Sequence, residues 1–195
     1  MKKTCFVLIL ILVFGLSLLS AQTANDPAIR PIINNFSANN NTGFSTQPLS
    51  NAEIDLIVQA GWRSPSAGNR QPWLITVIHN LNLMQQILPQ ASAGNILVVV
   101  SGDLSDAARK DAVILDCGLT AQSMFLAAHA LGLGARQFTS GAIINRANGL
   151  KGELGIPAEH STIIVTRIGK LSTGADAVTA PSARANINDK VRHVR

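Results

Sequence analysis

The stretch Pro65-Ser66-Ala67-Gly68-Asn69-Arg70-Gln71-Pro72-Trp73 joins a helical pattern to a strand pattern through small and polar residues. Its prolines fix the course of the chain, and Ala67-Gly68 lets a flat ligand approach the backbone closely. Asn69 and Gln71 each donate and accept hydrogen bonds, which suits a ring edge carrying alternating donors and acceptors. Taken alone, these properties describe a ligand loop and a plain helix-to-strand connector equally well.

Upstream, Ser50-Asn51-Ala52-Glu53 has the spacing of a capping box, in which serine and glutamate satisfy free amides at a helix start. Ile54, Ile57, Val58 and Gly61 recur on one helical face, and Pro65 stops the helix near Arg63. Downstream, residues 74–79 read as a strand and residues 83–88 as a short helix ended by Pro89. Residues 96–100 are continuously apolar, as in a strand covered on both faces. Ser105 or Asp106 is expected to cap a helix that runs to Leu131 and stops at Gly132. From Ala112 onward that helix is apolar on nearly every side, broken by Asp116, Gly118, Thr120, Gln122, Ser123 and His129. Such a helix belongs in a core or between two subunits. A short strand is expected up to Phe138, a weak helix over residues 145–154, a strand over residues 162–168, and a loop over residues 171–185. This alternation indicates an α/β layered domain.

The chain opens with Lys2-Lys3 and an apolar run from Phe6 to Leu19, followed by Ser20-Ala21. This is the pattern of a secretory signal peptide, with cleavage expected after Ala21 and export to the periplasm or medium. A permanent membrane span or an uncleaved tether is the weaker reading, because a span needs about 20 apolar residues. The formal charge of +5 falls to +3 once Lys2 and Lys3 are removed. That balance is no footprint for nucleic acid. One cysteine, Cys117, remains after cleavage; it reads as a small buried hydrophobe, and no internal disulfide is available.

His79, His129, His160 and His193 have no metal-ligand spacing, and neither a nucleophile elbow nor a Walker loop is present. Gly132-Leu133-Gly134 ends a helix rather than opening one, so it is a helix stop and not a dinucleotide fingerprint. With no acid–base pair in evidence, a cofactor is expected to carry the chemistry if the protein is an enzyme.

The loop at residues 65–73 resembles, nearly residue for residue, the signature loop of the FMN-dependent nitroreductase family. Residues 116–134 resemble the family's central helix and the glycine turn that ends it, and residues 154–170 its last strand region. The resemblance covers residues 48–170. It implies an α/β (α+β) fold in three layers: a mixed central sheet flanked by helices, with a long buried central helix. It also implies a homodimer with FMN at the subunit interface. The implied reaction is ping-pong, with NADH or NADPH as donor and a small nitroaromatic or quinone-like molecule as acceptor. Flavin N5 carries the hydride chemistry, so no catalytic side chain is required. By position, Arg63, Pro65, Ser66, Ala67, Asn69 and Gln71 would line the flavin. Thr139, Ser140 and Gly141 would lie near the ring, and Arg184 would contact the phosphate.

One departure stands out. Where the family carries an arginine pair and a serine for the flavin phosphate, this chain has Ala38-Asn39-Asn40-Asn41-Thr42. Each charge-assisted phosphate contact is worth roughly 1.5–3 kcal/mol, so the asparagines supply a weaker grip. A nitroreductase-like domain that has lost FMN and serves as a binding or structural module is the competing reading. The expected organisation is a signal peptide over residues 1–21, a flexible polar segment over 22–47, the domain over 48–170, and a carboxy-terminal extension over 171–195 that completes the dimer and flavin site.

Overall fold

The computed structural model describes residues 43–139, 141–146, 149–176 and 185–194, so the expected leader and most of the polar segment lie outside the described residues. The chain forms α1 (Asn51–Trp62), a 3-10 turn (Ala67–Asn69), β1 (Trp73–Ile78), α2 (Leu81–Ile87), β2 (Ile96–Asp103), α3 (Lys110–Ala130), β3 (Gly134–Phe138), α4 (Gly141–Arg146), α5 (Leu150–Glu153), β4 (His160–Gly169) and α6 (Ile187–Lys190). The four strands form one sheet in the order β1-β2-β4-β3, with every neighbouring pair antiparallel. The parallel component of the expected mixed sheet is therefore absent among the described strands.

Alternation along the strands builds two cores. Ile96, Val98 and Val100 of β2 face one side, where Ile57 of α1 packs with Cys117, Ala121 and Met124 of α3. Leu97, Val99 and Val165 face the other, against Met84 and Ile87 of α2, Ile144 of α4 and Leu150 of α5. Helices thus cover both faces of the sheet, and the three layers follow. Burial on both faces explains why β2 is apolar without alternation.

The local signals at helix ends behave as chemistry dictates. Ser50 and Glu53 form the full capping box, with the Ser50 amide donating to Glu53 Oε2 at 2.6 Å. At the far end of α3, Gly132 takes φ 73°; its N–H donates to His129 O, and that of Leu133 to Ala128 O. This is a Schellman stop, which glycine adopts at least cost.

Four expectations need correction. The α3 cap is Arg109, with no side-chain bond, because Asp106 spends its carboxylate on the Ala108 amide and Arg109 Nε in the preceding turn. The helix expected over residues 145–154 is two short helices, since Gly149 at φ 84° breaks it. Residues 43–47, expected to be mobile, are fastened: Phe44 bridges Leu171, and the Ser45 amide donates to Lys170 O. Asn80 caps α2 by accepting the Leu83 amide, so that helix starts two residues earlier than expected.

α3 is long and apolar enough to cross a membrane by length and composition. In the fold it lies against the sheet with Asp116, Thr120 and His129 buried. The His129 ring sits 4.2 Å from that of Phe125, and burial pushes its pKa down to about 4, against smaller upward contributions from the Ala135 backbone and Asp176. Between about pH 6.5 and about 4 the unfolded chain binds a proton that the folded one refuses. Stability should therefore fall by about 3 kcal/mol as pH drops through that window. Urea denaturation at a series of pH values tests this, and His129→Gln should flatten the acid limb.

Candidate functional site

The loop leaves α1 at Arg63 and runs along α3 before entering β1. Its backbone is unusual: Gly68, Asn69 and Gln71 have φ values of 60°, 54° and 50°. Left-handed geometry is natural for glycine but costs other L-residues on the order of 1 kcal/mol each. Internal bonds support it, from the Asn69 amide to Ser66 O at 3.0 Å and from the Gln71 amide to Ser66 Oγ at 3.0 Å. Gln71 Nε2 also donates to Asn69 Oδ1 at 3.1 Å. Both amide side chains are exposed. Among the described residues, Asn69 Nδ2 and Gln71 Oε1 have no hydrogen-bond partner, which leaves one donor group and one acceptor for a ligand. A Cβ added at Gly68 would meet only Arg70 Nε, at 3.8 Å, so the backbone there is open.

Beside the loop lies a cleft of about 450 Å³, walled by Ala67, Arg70 and Pro72, by Asp103 at the end of β2, and by Ala112 and Asp116 of α3. This is within the usual range for small-molecule sites. Of the residues expected to line a flavin, Pro65, Ser66, Ala67, Asn69 and Gln71 are brought together on this loop. Arg63 is the exposed C-cap of α1, with its guanidinium carbon 5.8 Å from the Trp62 ring centroid. Thr139 and Gly141 are elsewhere, where β3 ends and α4 begins. The start of β1 and the end of β3 lie at the same end of the sheet but on its opposite edges. Three interstrand steps separate them, roughly 14 Å at ~4.8 Å per step. Ser140 and Arg184 lie outside the described residues.

Three residues of this site were not among those expected. Asp116 is buried and accepts the Ala67 amide, at 3.1 Å to Oδ1 and 3.2 Å to Oδ2. Ser64 Oγ donates to Ser123 Oγ at 2.8 Å, and Ser123 Oγ donates to Leu119 O. The available signal was a carboxylate and a hydroxyl seven residues apart on one face of an otherwise apolar helix. Cys117, next to Asp116, is inert: burial, with Asp116 adding to it, pushes its thiol up to about 12.

Comparison with known proteins agrees with the fold. A protein of Archaeoglobus fulgidus, provisionally named NADH dehydrogenase/NAD(P)H nitroreductase, is 29% identical over 135 residues, which is 65% of this chain and 76% of that one. A nitroreductase of Desulfitobacterium hafniense, solved with bound FMN, superposes with a TM-score of 0.70 at 22% identity, covering 87% of this chain and 99% of the other. The NADPH:FMN oxidoreductase of Vibrio harveyi, solved with NAD+, gives 0.67 at 21% identity, covering 87% and 78%. The Nitroreductase family matches residues 43–96 and 91–170, a span holding both cores, the loop and α3; the chain belongs to that family.

Proposed function

We propose that this protein is an FMN-dependent oxidoreductase that passes electrons from NADH or NADPH to a small nitroaromatic or quinone-like acceptor in alternating, ping-pong order. The observation that carries this reading is the loop itself. It carries Asn69 Nδ2 and Gln71 Oε1, without partners among the described residues, on a strained backbone, and its Ala67, Arg70 and Pro72 wall a cleft of small-molecule size. A flavin ring edge has donors and acceptors that these two groups can meet, and the open backbone at Gly68 suits a flat ring. When bound, FMN supplies hydride chemistry at N5. The chain's own part is to hold the ring, orient it and keep water from it. Ser66 fixes the Gln71 amide, so its role is to shape the loop as well as to line it.

The site would be shared between two copies. In one protomer Thr139 and Gly141 sit at the sheet edge opposite the loop, so a second chain would bring such residues to the loop's side of the ring. The helical layer of α1 and α3 leaves Leu56, Trp62, Ile114, Leu115 and Leu119 exposed, an apolar surface that a second copy would cover. The carboxy-terminal residues 171–195, Arg184 among them, would complete the site, and the leader over residues 1–21 would carry the protein out of the cytoplasm.

Purified mature protein, mixed with FMN and desalted, should stay yellow, with absorption in the near-ultraviolet and blue. Asn69→Ala should weaken FMN binding about tenfold, the worth of one good hydrogen bond. The asparagines at positions 39–41 favour a second reading, a domain that no longer retains flavin. A colourless eluate at micromolar protein would decide for that reading.

A further inference from the structure

Among the described residues, two side chains of α3 provide all the hydrogen bonds that fasten residues 64–71 to an element other than α1. Asp116 takes the Ala67 amide, and Ser123 takes the Ser64 hydroxyl. Seven residues apart, they lie two turns along one face of α3, about 10.5 Å by helical rise. Asp116 is 3% exposed, a carboxylate placed in the core layer and directed at one backbone N–H. Burying a carboxylate is costly unless hydrogen bonds compensate it, and here the Ala67 amide donates to both its oxygens. Downstream of these ties come the three left-handed residues Gly68, Asn69 and Gln71. Strained backbone persists only where its surroundings over-determine it, and the loop's own bonds to Ser66 tie it merely to itself.

We propose that Asp116 and Ser123 are positioning residues: they anchor the loop to α3 at two points and so keep Asn69 and Gln71 in the conformation that receives the flavin. This rests on the reading that the loop holds FMN. Both act through the loop, Asp116 on the Ala67 amide and Ser123 on the Ser64 hydroxyl. Holding the loop before the ligand arrives removes the ordering cost from binding.

The test compares Asp116→Asn, which keeps an acceptor of the same shape, with Asp116→Leu, which fills the space without one, and adds Ser123→Ala. Asp111→Asn, an exposed acid in the first turn of the same helix, controls for loss of charge. Two quantities are read: exchange of the Ala67 amide in flavin-free protein by NMR, and the FMN dissociation constant by fluorescence titration. Asp116→Leu should speed Ala67 exchange and weaken FMN by about tenfold or more, the size expected for a hydrogen bond to a charged group. Asp116→Asn should fall between Leu and wild type, Ser123→Ala should cost about threefold in FMN affinity, and Asp111→Asn should match wild type. If Asp116→Leu leaves FMN affinity unchanged, or Asp116→Asn is no better than Leu, or Asp111→Asn is equally harmful, the positioning role is overturned. Should Asp116→Leu fail to fold, Asp116→Asn and Ser123→Ala are compared with wild type instead, and wild-type FMN affinity in both overturns the role. Wild-type protein that binds no FMN would instead sink the oxidoreductase reading, while the exchange rates still judge the anchor.

Discussion

Asn95→Leu is expected to lower the melting temperature by about 6–12 °C, corresponding to about 3 kcal/mol for a domain of this size. The reason is Arg167, which lies in β4 at 2% exposure. Its Nε donates to Asn95 Oδ1 at 2.7 Å and its Nη2 to Ser92 Oγ at 3.2 Å, while its guanidinium carbon sits 4.1 Å from the Phe44 ring centroid. Among the described residues no carboxylate pairs with it. Burial, reinforced by the neighbouring Arg136, pushes its pKa down to about 10. Asn95 is therefore the main acceptor for a buried cation, and its Nδ2 also donates to Ser45 O, holding the segment before α1. Leucine removes that acceptor and strands the charge.

Arg167→Met should cost less, on the order of 1 kcal/mol, because charge and desolvation penalty leave together. Asn95 would still accept from Ser92 Oγ and donate to Ser45 O. Thermal melts followed by circular dichroism give both numbers. A methionine variant less stable than the leucine variant would mean that Asn95 is not the partner that matters.

The second large effect concerns assembly. Leu115 is 61% exposed and Trp62 58%, on the two helices of one layer. Wild-type protein should sediment as a dimer, and Leu115→Asp should be monomeric. Burying a leucine is worth roughly 1.5–3 kcal/mol, and two-fold symmetry counts it twice. Together these imply a dissociation constant higher by about two to four orders of magnitude. The monomer should also lose FMN in the desalting test. Sedimentation velocity reads the first outcome and the eluate spectrum the second. A monomeric wild type that stays yellow would contradict the shared site.

What could be read from the sequence was what residues settle among near neighbours. The Ser50–Glu53 box spans three positions, the Gly132 stop is fixed by its own φ, and β2 shows its double burial in an unbroken apolar run. The loop was legible as a helix-to-strand connector whose composition also fits a ligand loop, and its resemblance to a family signature decided between the two. Contacts between distant positions were not. Asn95 and Arg167 are 72 residues apart, Ala67 and Asp116 are 49 apart, and Asp116 reads in the sequence only as a polar break in an apolar helix. The Phe44 bridge to Leu171 was hidden for the same reason, since a polar stretch gives no sign of the sheet edge it will meet. The break at Gly149 was legible only as weakness in the helix expected over residues 145–154, and turning weakness into two helices requires the neighbouring strand and its core.

The sequestered sulfur of Cys117 has a chemical consequence for the proposed acceptors. Quinones are soft electrophiles that arylate accessible thiolates. At physiological pH a thiol that ionises near 12 offers almost none, and the described surface presents no other sulfhydryl. Cys117 in the folded domain should therefore survive repeated encounters with benzoquinone, and peptide mapping afterwards should find it unarylated.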